Sequence, residues 1–62
     1  MSDEDIKVCE AMRKYGGGFV QQLAEAAFHA DSKNLDLLKA TFADKWTEYK
    51  MFADFDERKR KP

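Results

Sequence analysis

The chain has 62 residues, a formal net charge of −1 and a hydrophobic content of 44%. A chain this short forms one domain that buries only about 60% of its unfolded surface, so it usually needs a disulfide, a metal or a partner to stabilise it. Cys9 is the only cysteine and His29 the only histidine, which excludes an intrachain disulfide and argues against a structural zinc site. We therefore expect no cofactor, and we expect association to supply the missing stability.

The charges are unevenly distributed along the chain. Residues 1–31 carry six acids and three bases, whereas residues 32–62 carry eight bases and six acids. The first residues, MSDEDIKVCE, lack the basic segment and apolar run of a secretory signal, and no stretch approaches the ~20 apolar residues of a membrane span. These features predict a cytoplasmic protein that does not enter a membrane.

The first predicted helix covers residues 3–15. Ser2 is a typical N-cap, and three acidic residues follow it at the positive end of the helix dipole. Ile6, Cys9 and Met12 then recur at the spacing of one helical face, which predicts that this face packs into a core.

Three consecutive glycines, Gly16, Gly17 and Gly18, follow this helix. Each glycine inside a helix costs ~1 kcal/mol relative to alanine, so the run predicts a tight turn, with Gly16 leaving the helix in a left-handed conformation. An alternative is an anion-binding nest of backbone N–H groups at the start of the next helix. The stretch matches neither the P-loop nor the dinucleotide-binding glycine pattern.

The second predicted helix spans about residues 18–30, and a third follows the sequence DSKN. Asp31 is the expected N-cap of the third helix, with Asn34 as the alternative. The apolar periodicity of these segments and of the next one predicts a core built from Phe19, Leu23, Leu38, Phe42 and Trp46.

The last predicted helix has apolar side chains on more than one side. Asp44 marks either a kink or a new cap, after which one stripe carries Trp46, Tyr49 and Ala53. A second set, Met51, Phe52 and Phe55, lies on other faces. A helix that is apolar on several sides is covered on several sides, so the second set predicts a partner surface. Alternatively, Phe52 folds back onto the first helix.

The fold class predicted from these segments is all-α, a compact bundle of three to four short helices. We expect a single helical domain over residues 1–55, followed by a flexible basic tail over residues 56–62. The chain shows no arrangement of nucleophile, base and orienting group, so we expect that it is not an enzyme. His29 is typical of a capping or packing residue, and Cys9 of a small core residue.

The sequence QLAEAAFHADSKNLDLL carries a Leu-Ala pair, as the first helix of a helix-turn-helix does. That motif requires a small residue where the turn begins, and here Phe28 stands near that position. The segment NLDLLKATF, which would be the recognition helix, offers few groups to read base edges. The sequence therefore argues against DNA reading through this element.

The runs KYGGGFVQQLAEAA, HADSKNLDLLKATF and WTEY resemble a family of small, mostly uncharacterised helical proteins of phages and prophages. Its pattern is KYGG-F-V-x-x-L, then A-D-P-x-N, then a phenylalanine-proline step, and then W-x-x-Y. The matching residues are Tyr15, Gly16, Gly17, Phe19, Val20, Leu23, Ala30, Asp31, Asn34, Phe42, Trp46 and Tyr49. Ser32 and Ala43 stand where the pattern has proline. The resemblance implies a phage-encoded protein of the host cytoplasm, and it carries no known activity or site.

These observations predict an interaction protein that binds, and inhibits by occlusion, a host or defence protein. The expected contact residues are Met51, Phe52 and Phe55, with Tyr15, Gly16 and Gly17 as a second candidate surface. We also expect a homodimer or small oligomer. One alternative is a nucleic-acid-associated protein that uses Lys50, Arg58, Lys59, Arg60 and Lys61. Another is an oligomeric sponge that binds an anionic nucleotide at the glycine turn.

Overall fold

Four α-helices follow one another along residues 1–60, which are the residues described by the structure, a computed structural model. They are α1 (Asp3–Tyr15), α2 (Gly18–His29), α3 (Ser32–Thr41) and α4 (Ala43–Arg60). No strand occurs in this part of the chain. The predicted all-α bundle and the predicted bounds of the first helix are confirmed. The last two residues of the predicted tail lie outside the described residues.

Side-chain caps set where two of the helices begin. The Ser2 hydroxyl accepts a hydrogen bond from the Asp5 backbone N–H at 3.1 Å, which satisfies a donor that the first turn of α1 leaves open. At α3, the Asn34 backbone N–H donates to the Asp31 carboxylate at 2.8 Å. Asp31 is therefore the cap of α3, and Asn34 lies within the helix.

The predicted left-handed conformation of Gly16 is wrong. Gly16 has φ −80° and ψ 155°, and no residue of the described chain has a positive φ. The chain passes from α1 to α2 through two residues in the extended conformation, which any residue type can adopt. Close packing is what requires this glycine, because a Cβ there would lie 2.5 Å from the Met12 carbonyl oxygen and 2.5 Å from Cγ1 of Val20. Nothing in the structure explains Gly17 or Gly18.

The core is centred on α1, whose Val8, Cys9 and Met12 are the largest fully buried side chains. α4 and α2 pack against α1, and α3 lies against α2 and α4. The complete buried apolar set is Val8, Cys9, Ala11, Met12, Val20, Leu23, Ala24, Ala27, Leu35, Trp46, Tyr49 and Ala53. The core role predicted for Cys9 is therefore confirmed, as is the buried stripe of α4.

The predicted core is correct for Leu23 and Trp46 and wrong for Phe19, which is 62% exposed. Phe19 lies about 100° around α2 from Val20, and Val20 takes the inward position. The Phe19 ring instead contacts the edge of the Phe42 ring, with 5.8 Å between centroids. Leu38 and Phe42 are partly buried and pack against the core from outside.

α4 begins directly after Phe42, which closes α3 with φ −113° and ψ 40°. Asp44 therefore lies inside the first turn of α4 rather than at its cap. The helix also continues to Arg60, past the domain boundary predicted at residue 55, because side chains beyond that boundary contact α1. None of the described helices combines the length and apolar character needed to cross a bilayer.

Candidate interaction surface

An open groove runs between the C-terminal end of α1 and the outer side of α4. Its lining residues are Tyr15, Glu48, Met51, Phe52 and Phe55, and we call it the aromatic groove. The sequence predicted Tyr15 and the α4 side chains as two separate candidate surfaces. The fold brings them together because the end of α1 packs beside the middle of α4.

Two of the lining rings, Tyr15 and Phe52, belong to a stack of three aromatic rings. The Tyr15 and Phe52 rings have centroids 5.0 Å apart and an interplanar angle of 23°, and Phe52 stacks on Tyr49 at 5.3 Å and 29°. Tyr49 belongs to the buried core, so the stack is fixed to the interior at that end. Phe52 thus contacts α1, as the alternative for this residue predicted, while it also lines the groove.

Asp56 holds Tyr15 in this position. The Tyr15 hydroxyl donates a hydrogen bond to Asp56 Oδ1, and Lys14 Nζ lies 3.3 Å from Asp56 Oδ2. The hydrogen bond with Asp56, and a weaker contribution from Tyr15, raise the pKa of Lys14. Sequence reasoning missed Asp56 because it placed the residue in a tail. The i, i+4 spacing from Phe52 was the available signal.

The outer rim of the groove is accessible to solvent. Met51 is 69% exposed and Phe55 58% exposed, although both side chains are apolar. Their neighbour Glu48, which sequence reasoning also missed, is the charged member of the lining. Its ion pair with Lys45 is long, at 3.8 Å. An aromatic patch exposed beside one charge is typical of a surface that becomes covered on binding.

Gly16 and Gly17, the remaining predicted contact residues, do not line the groove. Gly16 is half-buried against Val20. The Gln21 side-chain amide donates to the Gly16 carbonyl oxygen at 3.1 Å and so covers the turn from one side. The role that the structure shows for Gly16 is close packing between α1 and α2.

The acidic and basic halves of the chain are paired within the molecule. Lys50 lies 3.0 Å from Glu4, and Lys7 lies 2.9 Å from Glu57. The hydrogen bond with Glu4 raises the pKa of Lys50. Of the five basic residues proposed for nucleic acid, Arg58 and Lys59 are exposed, while Lys61 lies outside the described residues. Lys50–Glu4 joins a base of the second half to an acid of the first, whereas Lys7–Glu57 does the reverse, so ion pairs of both senses join α1 to α4.

Two residue types that often carry chemistry lie in different surroundings, since Cys9 is buried in the core and His29 is exposed at the end of α2. Burial, and then the nearby Asp5 charge, raise the pKa of the Cys9 thiol to about 11. Cys9 is therefore a protonated core residue at neutral pH. Within residues 1–60, no three His, Cys, Asp or Glu side chains are placed to hold a metal ion. His29 is exposed at a second, shallower groove between α2 and α3, beside Leu37.

Comparisons with known proteins identify no family or relative for this chain. No protein-family model matches the sequence, no curated protein is significantly similar to it, and no solved structure matches its fold significantly. What this chain binds therefore has to be inferred from its own residues.

Proposed function

We propose that this chain is a macromolecular-interaction protein that binds a protein partner through the aromatic groove. The observation that carries the proposal is the groove itself, where Tyr15, Phe52, Phe55 and Met51 remain accessible although the chain has a separate core. Aromatic residues and methionine are enriched in protein interfaces, where their burial supplies most of the favourable free energy. The groove is open and follows a helix, so it suits an apolar helical segment of the partner.

We propose further that the chain is phage-encoded and acts in the cytoplasm of a bacterium. The support is its resemblance to small phage proteins through the KYGG-F-V-x-x-L and W-x-x-Y residues. A chain of 7.2 kDa acts most simply by occlusion, since it can cover a contact surface without any catalytic step. The target would be a host or defence protein whose own contact surface the groove covers.

For the alternative of a nucleic-acid partner, Lys50 is paired with Glu4, while Arg58 and Lys59 are exposed. Lys50, Lys7 and Lys14 each lie within ion-pair distance of an acidic side chain. Phosphate would have to compete with these carboxylates. Binding to phosphate also weakens steeply with added salt, whereas burial of aromatic side chains does not. The two modes of binding therefore differ in their response to salt.

Affinity capture from a bacterial lysate tests the proposed function. The immobilised chain is compared with Phe55→Ser, which removes an exposed aromatic side chain from the groove, and with Leu37→Ser, which removes an exposed apolar side chain from the α2–α3 face. We expect the wild type and Leu37→Ser to capture the same protein at low and high salt, and Phe55→Ser to lose it. Capture that Phe55→Ser leaves unchanged would contradict the proposal.

A further inference from the structure

The outward face of α4 carries an ordered series of side chains. Glu48, Phe52, Phe55 and Lys59 lie within about 60° of one another around the helix axis, at spacings of four, three and four residues. The two charges bracket the two aromatic rings. All four side chains are exposed, and they lie to one side of the buried stripe that begins at Trp46.

The charges at the two ends of this series have opposite signs. Glu48 forms only the long contact with Lys45, and Lys59 forms no ion pair with another described residue. Glu48 and Lys59 stand about three helical turns apart, on the order of 16 Å along the axis. The face is thus acidic at one end, aromatic in the middle and basic at the other end.

We infer that a second copy of this chain covers the aromatic groove, with the two α4 helices packed antiparallel about a twofold axis. A twofold contact is isologous, so residue i meets residue j and residue j meets residue i. If Glu48 meets Lys59 of the partner subunit, the same register places Phe52 against Phe55 of the partner subunit. One arrangement therefore pairs both charges and buries both rings.

This dimer goes beyond the proposed function, because it covers the exposed apolar side chains of the chain when no other protein is bound. The contact area is small, because the four side chains of this series contribute most of it, so we expect a dissociation constant on the order of 10–100 µM. A protein partner that binds the aromatic groove must displace the second copy. Self-association and partner binding are then mutually exclusive.

Charge reversal tests the register directly. In Glu48→Lys, each lysine introduced at position 48 would face a lysine across the twofold axis, and in Lys59→Glu two carboxylates would face each other. Each variant alone should dimerise about tenfold more weakly than the wild type in low-salt buffer. An equal mixture of the two variants pairs opposite charges at both ends, so it should recover the wild-type affinity.

Sedimentation equilibrium of the wild type, each variant and the mixture gives the dissociation constants. Circular dichroism melts of the variants show whether the monomer still folds, which we expect because both positions are exposed. Phe55→Ser should also give a monomer, and Leu37→Ser should dimerise as the wild type does.

Three results would overturn the inference: a monomeric wild type at all concentrations, single variants that dimerise like the wild type, or a mixture no tighter than its components. A monomer that still captures a lysate protein through Phe55 would leave the proposed function intact. A dimer that responds to charge reversal while no protein is captured would refute only the proposed function.

Discussion

Gly16 has no room for a methyl group, whereas Gly18 does. A Cβ at Gly16 would lie 2.5 Å from the Met12 carbonyl oxygen, while nothing lies within 4 Å of one at Gly18. Overpacking of this kind costs about 1–3 kcal/mol, and alanine within a helix is favoured over glycine by up to ~1 kcal/mol. We expect Gly16→Ala to lower the melting temperature and Gly18→Ala to leave it unchanged or raise it.

The melting temperatures of both variants, followed by circular dichroism, check this prediction. Gly17→Ala is the matched control, because a Cβ there also meets open space. Equal effects at Gly16 and Gly17 would show that close packing is not the reason for the glycine.

At the scale of the element, the stability of α3 depends on its N-cap, Asp31. The Asp31 carboxylate accepts the Asn34 backbone N–H, and α3 is the shortest helix, with 10 residues. Loss of such a cap costs typically ~1 kcal/mol. We expect Asp31→Ala to lower the free energy of unfolding by about that amount in urea denaturation, while Asp36→Ala, at an exposed position within α3, should change it by less than about 0.5 kcal/mol. Equal effects would contradict the capping role.

The two sides of α4 differ in burial. One side, with Trp46 and Ala53, joins the core, and the other presents Phe55 to solvent. Within residues 1–60, α1 and α3 pack against α4 and leave its Phe55 side uncovered.

For the whole molecule, Trp46 should be far more important to stability than Phe19. Trp46 is 9% exposed and Phe19 62% exposed. Truncation of a buried aromatic residue costs about 3–5 kcal/mol, which is a large part of the free energy of unfolding of a domain of this size. We expect Trp46→Ala to be largely unfolded by circular dichroism and Phe19→Ala to melt cooperatively. Phe42→Ala, at a partly buried site, should fall between them.

The pH dependence of stability should depend partly on Asp5, which joins α1 to α3 through Lys39 at 3.0 Å. Burial alone would raise the pKa of Asp5, but hydrogen bonds with Lys39 and Ser2 and the charge of Lys39 outweigh it and lower the pKa below its ordinary value of 3.8. The folded chain therefore binds this proton less readily than the unfolded chain. The stabilisation is complete above the unfolded pKa and is lost as pH falls through the folded value.

We expect Asp5→Asn to melt below the wild type at neutral pH, and the difference to shrink as the pH falls below the ordinary value of 3.8. Thermal melts across this range provide the measurement. Asp3→Asn is the control, since Asp3 is an exposed first-turn acid and should change stability less. A difference between Asp5→Asn and the wild type that is independent of pH would argue against the ion pair as its source.

Local interactions explain which predictions from the sequence were confirmed. The bounds of α1, the Asp31 cap and the buried stripe that begins at Trp46 depend on residues within a few positions of one another. Capping, helix propensity and apolar periodicity act over that range, so the sequence alone determined the helices and much of their inward side.

Only the tertiary structure decided which distant side chains meet. Val20 rather than Phe19 faces the core because α1 approaches α2 from that side, and Gly16 is required because Val20 packs there. Likewise, Tyr15 lines the aromatic groove because Phe52 and Asp56 lie beside it. These contacts depend on the angles at which α1 crosses α2 and α4. Those angles are set by the packing of whole helix surfaces and have no local signal in the sequence.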